Sequence, residues 1–386
     1  MRICLVSSSF YPATFYGGPI FATWDLSNKL AKNGYEIYIS TTNANGNKQL
    51  DEYKNQYVQK SENVWVKYYH EQLINKFSFS FIFGIWNDIK KADVVYIQYL
   101  FHYTVLFSLF FAVFQKKKIV ICPRGSFSRY TFSNKLSAFK KIWFFLFIKP
   151  FQNKIKWQAS SYLERNDIKR FLPNADVKEV NDGVDFSSFQ DADMLSKTDL
   201  VLKYTNQKFQ EIDSVFFSMG RLHKIKRFDV LIDAFSIFVK EHPNSKLLIA
   251  GEDYGVKLQL EKQIHDLGLI DAAFLIGRVN HQQKKELLTS TAAFALASEF
   301  ESFGIVVAEA LSCGCPVIVS NKTPWKDIEK NNCGILAENE KVSFYNALRM
   351  IKKKNYQKKD CKRYVESHFD WETVSNDFIR SFLTEK

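Results

Sequence analysis

Cysteine is scarce and scattered in this chain: Cys4, Cys122, Cys313, Cys315, Cys333 and Cys361 include no C-x-x-C pair. That excludes a disulfide framework and the commonest dithiol and zinc motifs, and the residues read as reduced core thiols of a cytosolic protein. Long hydrophobic runs are missing too. The longest apolar stretch, Tyr103 to Phe114, is interrupted by Ser108 and falls short of the roughly 18 residues a membrane span needs. The opening MRICLVSSSF runs straight into a strand pattern without a basic n-region and long apolar h-region, so no secretory signal is expected. A G-x-G-x-x-G fingerprint is absent from the first strand-to-helix turn, which counts against a nicotinamide enzyme. No nucleic-acid motif accompanies the basic charge, which discounts that partner.

What is present is an ordinary globular balance, with 46% apolar and 24% charged residues. At 386 residues the chain suits two domains better than one. The net charge of +12 is uneven, since residues 1–195 hold 25 Lys and Arg against 16 Asp and Glu, and the remainder 28 against 25. A basic first half suits anionic substrates or a membrane surface. Its segment Lys135 to Trp157 mixes Lys with Trp and Phe as interfacial helices do, although a core helix with a solvated lysine face has the same composition.

The pattern along the chain alternates strands and helices, which predicts a mainly parallel sheet wrapped by helices in each half. RICLVSS, a loop holding Gly17 and Gly18, a helix ending at Gly34 and the strand EIYIST form the opening unit. The glycine pair lies where a helix N-terminus can receive a phosphate. Residues 43–65 read as a polar connection. Strands are expected at 93–97, 118–122, 156–159 and 177–180, and helices at 103–114, 135–148 and 161–171. His102 reads as a helix-start or core residue. Arg124 and Gly125 follow a strand at its carboxyl end, where open sheets bind ligands. The boundaries expected are a first domain over 1–185, a linker over 186–213, a second domain over 214–365 and a last helical segment over 366–386. The DAD sequence at 191–193 has the form of a metal-binding D-x-D, but its place in the linker makes it solvated charge, so no metal site is assigned.

Two stretches of the second half carry chemistry. In ESFGIVVAEALSCGCP, Glu301 and Glu309 stand eight apart in an otherwise apolar run. If Ser302 or Phe303 opens a helix, Glu301 lies at its N-terminus and Glu309 is drawn into a poorly solvated position two turns on. A buried carboxylate needs hydrogen-bond partners. Vicinal hydroxyls of a sugar or ribose would serve, and so would a neighbouring Lys or Arg. In GRLHKIKRFD, Arg221 and Lys226 follow a strand end. Two cations there could hold a diphosphate, each charge pair being worth roughly 4 kcal/mol at about 4 Å and an effective dielectric near 20; a solvated basic loop is the alternative.

Taken together, GRLHKIKRFDVLIDAF, KLLIAGED, FLIGRV and the E-x7-E stretch resemble the donor-binding domain of glycosyltransferase family 4. The segments YGGPIFATWDLSNKLAKNGYEIYISTTNANG, DVVYIQ, PRGSFS, WQASSYLERNDI and NDGVD resemble the acceptor domain of such enzymes. The resemblance implies an α/β protein of two Rossmann-like domains facing a cleft, the GT-B fold. It also implies retaining transfer from a UDP- or GDP-linked sugar with no cofactor beyond that cosubstrate and no essential metal. By position, Arg221 and Lys226 would neutralise the diphosphate, Glu309 would bind ribose hydroxyls, and Glu301 the donor sugar or its phosphate side. Gly220, Ser302, Phe303 and Gly304 would line the donor site, and the backbone around Arg278 would meet the base. Gly17 and Gly18 would approach the phosphate, and Glu252 and Asp253 would line the cleft. The C-terminal helix would cross back onto the first domain. Tyr96, Gln98 and Arg124 stand where relatives often carry histidines, so a histidine role does not carry over, and Arg124 could instead contact an anionic acceptor such as a lipid diphosphate. The expected acceptor is a glycan, polyprenyl-diphosphate-linked, met in the cytoplasm or at the inner membrane surface during O-antigen, capsule or exopolysaccharide assembly. The competing reading is a catalytically silent nucleotide-sugar-binding or membrane scaffold subunit.

Overall fold

A computed structural model describes residues 1–52, 55–73, 77–132, 137–191 and 193–384. It divides into two compact units, one formed by Met1–Gly183 with the chain from Trp371 onward, the other by Val184–Asp370.

The first unit is built on eight strands: β1 (Arg2–Val6), β2 (Glu36–Thr42), β3 (Val58–Ser61), β4 (Val64–Tyr69), β5 (Val94–Gln98), β6 (Lys118–Cys122), β7 (Ile155–Ala159) and β8 (Asp176–Glu179). Their order is β8-β7-β6-β5-β1-β2-β4-β3, parallel throughout except for β3. Strands such as VVYIQ are buried at every position because helices cover both faces, which is why they read as unbroken apolar runs. Side-chain alternation then sorts the core. Val95, Ile97, Ile119 and Ile121 pack with the helices Phe79–Lys90, Tyr103–Phe114 and Tyr162–Phe171. Val94, Tyr96, Val120 and Cys122 pack on the other face with Gly18–Lys32 and the C-terminal helix Trp371–Phe378. Trp371 seats against Gly183, where an added Cβ would fall 2.4 Å from the indole.

The second unit holds β9 (Val215–Met219), β10 (Lys246–Ala250), β11 (Ala273–Gly277), β12 (Ala293–Leu296), β13 (Val317–Ser320) and β14 (Gly334–Ala337), all parallel, in the order β11-β10-β9-β12-β13-β14. The order reverses between β9 and β12, so successive crossovers leave those strands in opposite directions and open a crevice at their carboxyl ends.

Several expectations are corrected. Residues 43–65 are not one connection: β3 pairs antiparallel at the sheet edge and β4 begins at Val64. β3 has the sequence VQKS, and an edge strand needs no apolar run. Helix Phe79–Lys90, strand β14 and helix Lys358–Phe369 are additional elements. Residues 186–213 are not a linker, because helix Lys197–Thr205 buries Leu200 and Val201 in the core of the second unit. The helix expected from Ser302 or Phe303 starts at Ile305, with Gly304 as its left-handed cap at φ 83°. Of the segment from Lys135 and the DAD sequence, Lys135, Leu136 and Ala192 lie outside the described residues. His102 is the N-cap of Tyr103–Phe114, its Nδ1 accepting from the Thr104 N–H at 3.4 Å. All six cysteines are buried thiols.

Candidate donor-binding site

The loops that leave β9 and β12 are tied to each other and to their neighbours by backbone hydrogen bonds. Gly220 donates to the Ala250 carbonyl at 3.0 Å, Leu222 to Glu252 at 2.8 Å and Tyr254 to Leu222 at 3.0 Å, extending the β9–β10 pairing past the strand ends. Gly251 has to be glycine, because a Cβ there would lie 1.8 Å from the Gly220 carbonyl oxygen. Across the switch point, the Glu299 N–H donates to the Ile225 carbonyl at 2.8 Å.

This frame sets four charged side chains. The Arg221 guanidinium lies over the Tyr254 ring, 5.2 Å from its centroid, and is otherwise exposed. No ion pair involves it among the described residues. Lys226 ends a short turn, Lys224–Lys226, capped by His223, and its Nζ lies 2.5 Å from Glu301 Oε1. Ser298 Oγ donates to the same oxygen at 2.7 Å. Gly220 leaves room for the lysine stem, since a Cβ there would sit 3.2 Å from Lys226 Cε. Glu309 lies inside the helix Ile305–Ser312 and is 8% exposed. Its Oε1 is 2.5 Å from Lys284 Nζ, and its Oε2 is buried with no hydrogen-bond partner.

The field around these groups is positive. Burial first, and then Arg221, Lys224 and Lys226, hold the His223 imidazole below its ordinary pKa. The positive end of the Ile305–Ser312 helix dipole adds to that field. An anion is therefore favoured at the carboxyl end of β9, and a hydroxyl donor is favoured at Glu309, whose free oxygen otherwise carries the desolvation cost of an unsatisfied carboxylate.

Of the expected site residues, Gly220, Arg221, Lys226, Glu301, Ser302, Gly304 and Glu309 all lie on the two loops and the helix that follow β9 and β12. Phe303 contributes its side chain to the core, packed on Trp325 and Phe369, and its carbonyl accepts from the Trp325 indole at 2.7 Å. Arg278 follows β11 and pairs with Glu252 at 3.0 Å, both exposed. Asp253 caps the helix Lys257–Asp266, its Oδ1 accepting from Gly255, Val256 and Lys257, and these bonds hold its carboxyl below the ordinary range. Gly17, Gly18 and Arg124 belong to the other unit. Gly17, at φ 78° and ψ −150°, takes a conformation open to glycine alone and gives its N–H to Thr14. Arg124 is buried: Nη1 pairs with Asp182, Nε donates to Gln98 at 2.8 Å, and Nη2 has no partner. Its charge is thus neutralised within the fold, which an exposed anion-binding arginine would not show. Residues that sequence reasoning missed are Lys284, Ser298 and Tyr254. Ser298 stands three positions before Glu301, a spacing that could have flagged it, whereas Lys284 stands 25 positions before its partner.

Residues 204–368 match the family model described as glycosyl transferases group 1. Over that stretch the chain is similar to group 1 glycosyl transferases. A mannosylfructose-phosphate synthase of Agrobacterium fabrum is 29% identical over 130 residues, 32% of this chain and 29% of that protein. The aligned stretch thus spans less than a third of that relative. A GDP-mannose:cellobiosyl-diphosphopolyprenol alpha-mannosyltransferase of Xanthomonas oryzae is 22% identical over 317 residues, 78% of this chain and 76% of its own. Among solved structures, an Anabaena protein in complex with UDP-glucose superposes with a TM-score of 0.73 at 17% identity, covering 99% of both chains. At that identity the likeness speaks for the fold, two Rossmann-like domains of the GT-B type. The matched stretch contains both the Arg221–Lys226 loop and the Glu301–Glu309 stretch.

Proposed function

We propose that the protein is a retaining glycosyltransferase that moves a sugar from a UDP- or GDP-linked donor to a glycan acceptor. The observation that carries this reading is the pairing, at one switch point, of a cationic loop with a buried carboxylate holding one unused oxygen. A nucleoside diphosphate offers the matching groups, a dianionic diphosphate for Arg221 and Lys226 and two vicinal ribose hydroxyls for Glu309 Oε2. In this reading Lys226 exchanges Glu301 for the diphosphate, and Glu301, still held by Ser298, turns to a hydroxyl of the donor sugar. The bond from the sugar C1 to the leaving phosphate oxygen breaks as the acceptor oxygen bonds to C1 on the same face, and the acceptor proton leaves with the diphosphate. Arg221 and Lys226 stabilise the charge that develops there, each 1.36 kcal/mol being worth about tenfold in rate. No cofactor beyond the cosubstrate and no metal enters this scheme.

The acceptor proposed is polyprenyl-diphosphate-linked, met at the cytoplasmic face of the inner membrane in the assembly of O-antigen, capsule or exopolysaccharide. The likeness to the Xanthomonas enzyme, whose name specifies a diphosphopolyprenol acceptor, supports it. No helix among the described residues is long and apolar enough to cross a membrane. The test is a thermal-shift screen against UDP, GDP, ADP, CMP and their sugar conjugates, with and without EDTA. A shift from one nucleotide series that survives EDTA is the expected result. No shift from any nucleotide, in protein shown to be folded, would overturn the proposal.

A further inference from the structure

The first unit carries a surface that the donor chemistry does not use. From residue 94 to residue 163 the chain has no Asp or Glu and 11 Lys or Arg, so this run of 70 residues is of one charge sign. Within and just before it lie three helical segments on one face of the first sheet: Phe79–Lys90, Tyr103–Phe114, and Ser137–Trp143 continued by the π turn Phe144–Ile148. Phe81, Ile85, Leu109, Ala112, Phe144 and Ile148 are turned into the core beneath them. The opposite sides of the same helices leave Phe83, Phe110, Phe114, Phe139, Ile142 and Leu146 between 53% and 79% exposed. Among the described residues, the exposed phenylalanines outside these helices are Phe15 and Phe21. Exposed apolar surface on this scale marks an interaction site.

Beside the third helix is a cavity of about 410 Å³ lined by Arg129, Phe132, Lys141, Arg170 and Phe171. Its aromatic wall is stacked, with Phe132 and Phe171 at 4.7 Å. Arg170 is held in place by Asp167 at 3.0 Å and by the Phe127 carbonyl at 2.7 Å. The lining thus holds three cations, one of which, Arg170, is paired with Asp167. Charges of one sign call for an anionic partner, and bare aromatic side chains call for an apolar one. A bilayer with anionic headgroups supplies both, in the order in which basic aromatic helices meet them.

We propose that this face docks onto an anionic phospholipid bilayer, its exposed Phe, Ile and Leu side chains entering the acyl boundary and the Arg129–Lys141–Arg170 cavity taking a lipid phosphate. The proposal deepens the reading of a lipid-linked acceptor and rests on it for its purpose, so lipid and nucleotide binding are read in separate assays.

The test is flotation of the full chain with phosphatidylcholine vesicles, with and without phosphatidylglycerol, at low and high salt. Variants are Arg129→Ala/Lys141→Ala and Phe110→Ser/Phe114→Ser, all at exposed positions. Expected are binding that requires phosphatidylglycerol and weakens with salt, a loss of roughly 30-fold for the double alanine variant, and a loss of about tenfold or more for the serine variant. As a gain-of-signal check, Phe114→Trp should give a blue-shifted emission on adding the anionic vesicles. Folded protein that floats with neither vesicle overturns the proposal. So does equal binding to both vesicles that Arg129→Ala/Lys141→Ala leaves unchanged, and so does self-association without lipid binding that the serine variant abolishes. Anionic vesicle binding in protein that shows no nucleotide-induced shift supports the docking face while removing the transferase reading.

Discussion

Replacing Glu309 by Gln isolates the role proposed for its unused oxygen. In the folded protein Oε1 is engaged by Lys284 at 2.5 Å and Oε2 has no partner. A ribose hydroxyl reaching Oε2 would form a charge-assisted hydrogen bond, worth about 1.5–3 kcal/mol in a place this poorly solvated. That corresponds to roughly ten- to hundredfold in Kd. Gln keeps the shape of the side chain and an acceptor for Lys284, so the fold should lose only about 1–3 kcal/mol. The assay is calorimetric titration of wild type and Glu309→Gln with the nucleoside diphosphate selected by thermal shift and with its 2′,3′-dideoxy analogue. Wild type should bind the analogue about ten- to hundredfold more weakly. Glu309→Gln should bind the parent nucleotide with nearly that lowered affinity and lose little more with the analogue, because each change removes the same bond. Full additivity, or an unchanged affinity of Glu309→Gln for the parent nucleotide, would refute the assignment.

Arg221→Ala should lower kcat/KM by about 10² to 10³ while leaving the melting temperature unchanged, since the guanidinium is exposed; intact turnover in that variant would sink the leaving-group role. Gly251→Ala should destabilise the protein by about 3 kcal/mol or more, because its Cβ would lie 1.8 Å from the Gly220 carbonyl oxygen; an unmoved urea midpoint would contradict the packing described. His223 has a folded pKa below its ordinary value of 6.5. The unfolded chain therefore binds the extra proton first, and stability should be full above that value and fall as pH drops through it. A melting series across acidic to neutral pH should show this loss reduced in His223→Asn, which keeps a capping side chain; parallel curves for the two proteins would remove His223 as the source.

The regular elements were legible where the physics is local. β6 and β10, KIVIC and KLLIA, are short apolar runs bounded by charge or glycine, the mark of strands covered on both faces. The helices between them carry their own period, and the cap at His102 needs only its neighbours. The Arg221–Lys226 loop and the Glu301–Glu309 stretch could be singled out for a similar reason. Their charged residues interrupt apolar patterns at strand ends, and each lies within ten positions of its companion.

What the chain order could not state is which distant groups meet. β3 is a strand because β4 offers it an edge, and its own VQKS sequence carries no such instruction. Arg124 looks like an anion-binding residue at a strand end, yet the fold brings Asp182 from 58 positions away to neutralise it. Glu309 asks for a partner by being buried, and only the tertiary structure selects Lys284 and leaves one oxygen unpaired. Local periodicity is set by neighbours along the chain, so the sequence determined most of the elements and the loops that bear chemistry. Charge pairing acts through space over a few ångströms, so the partners were decided by how the sheets and helices pack.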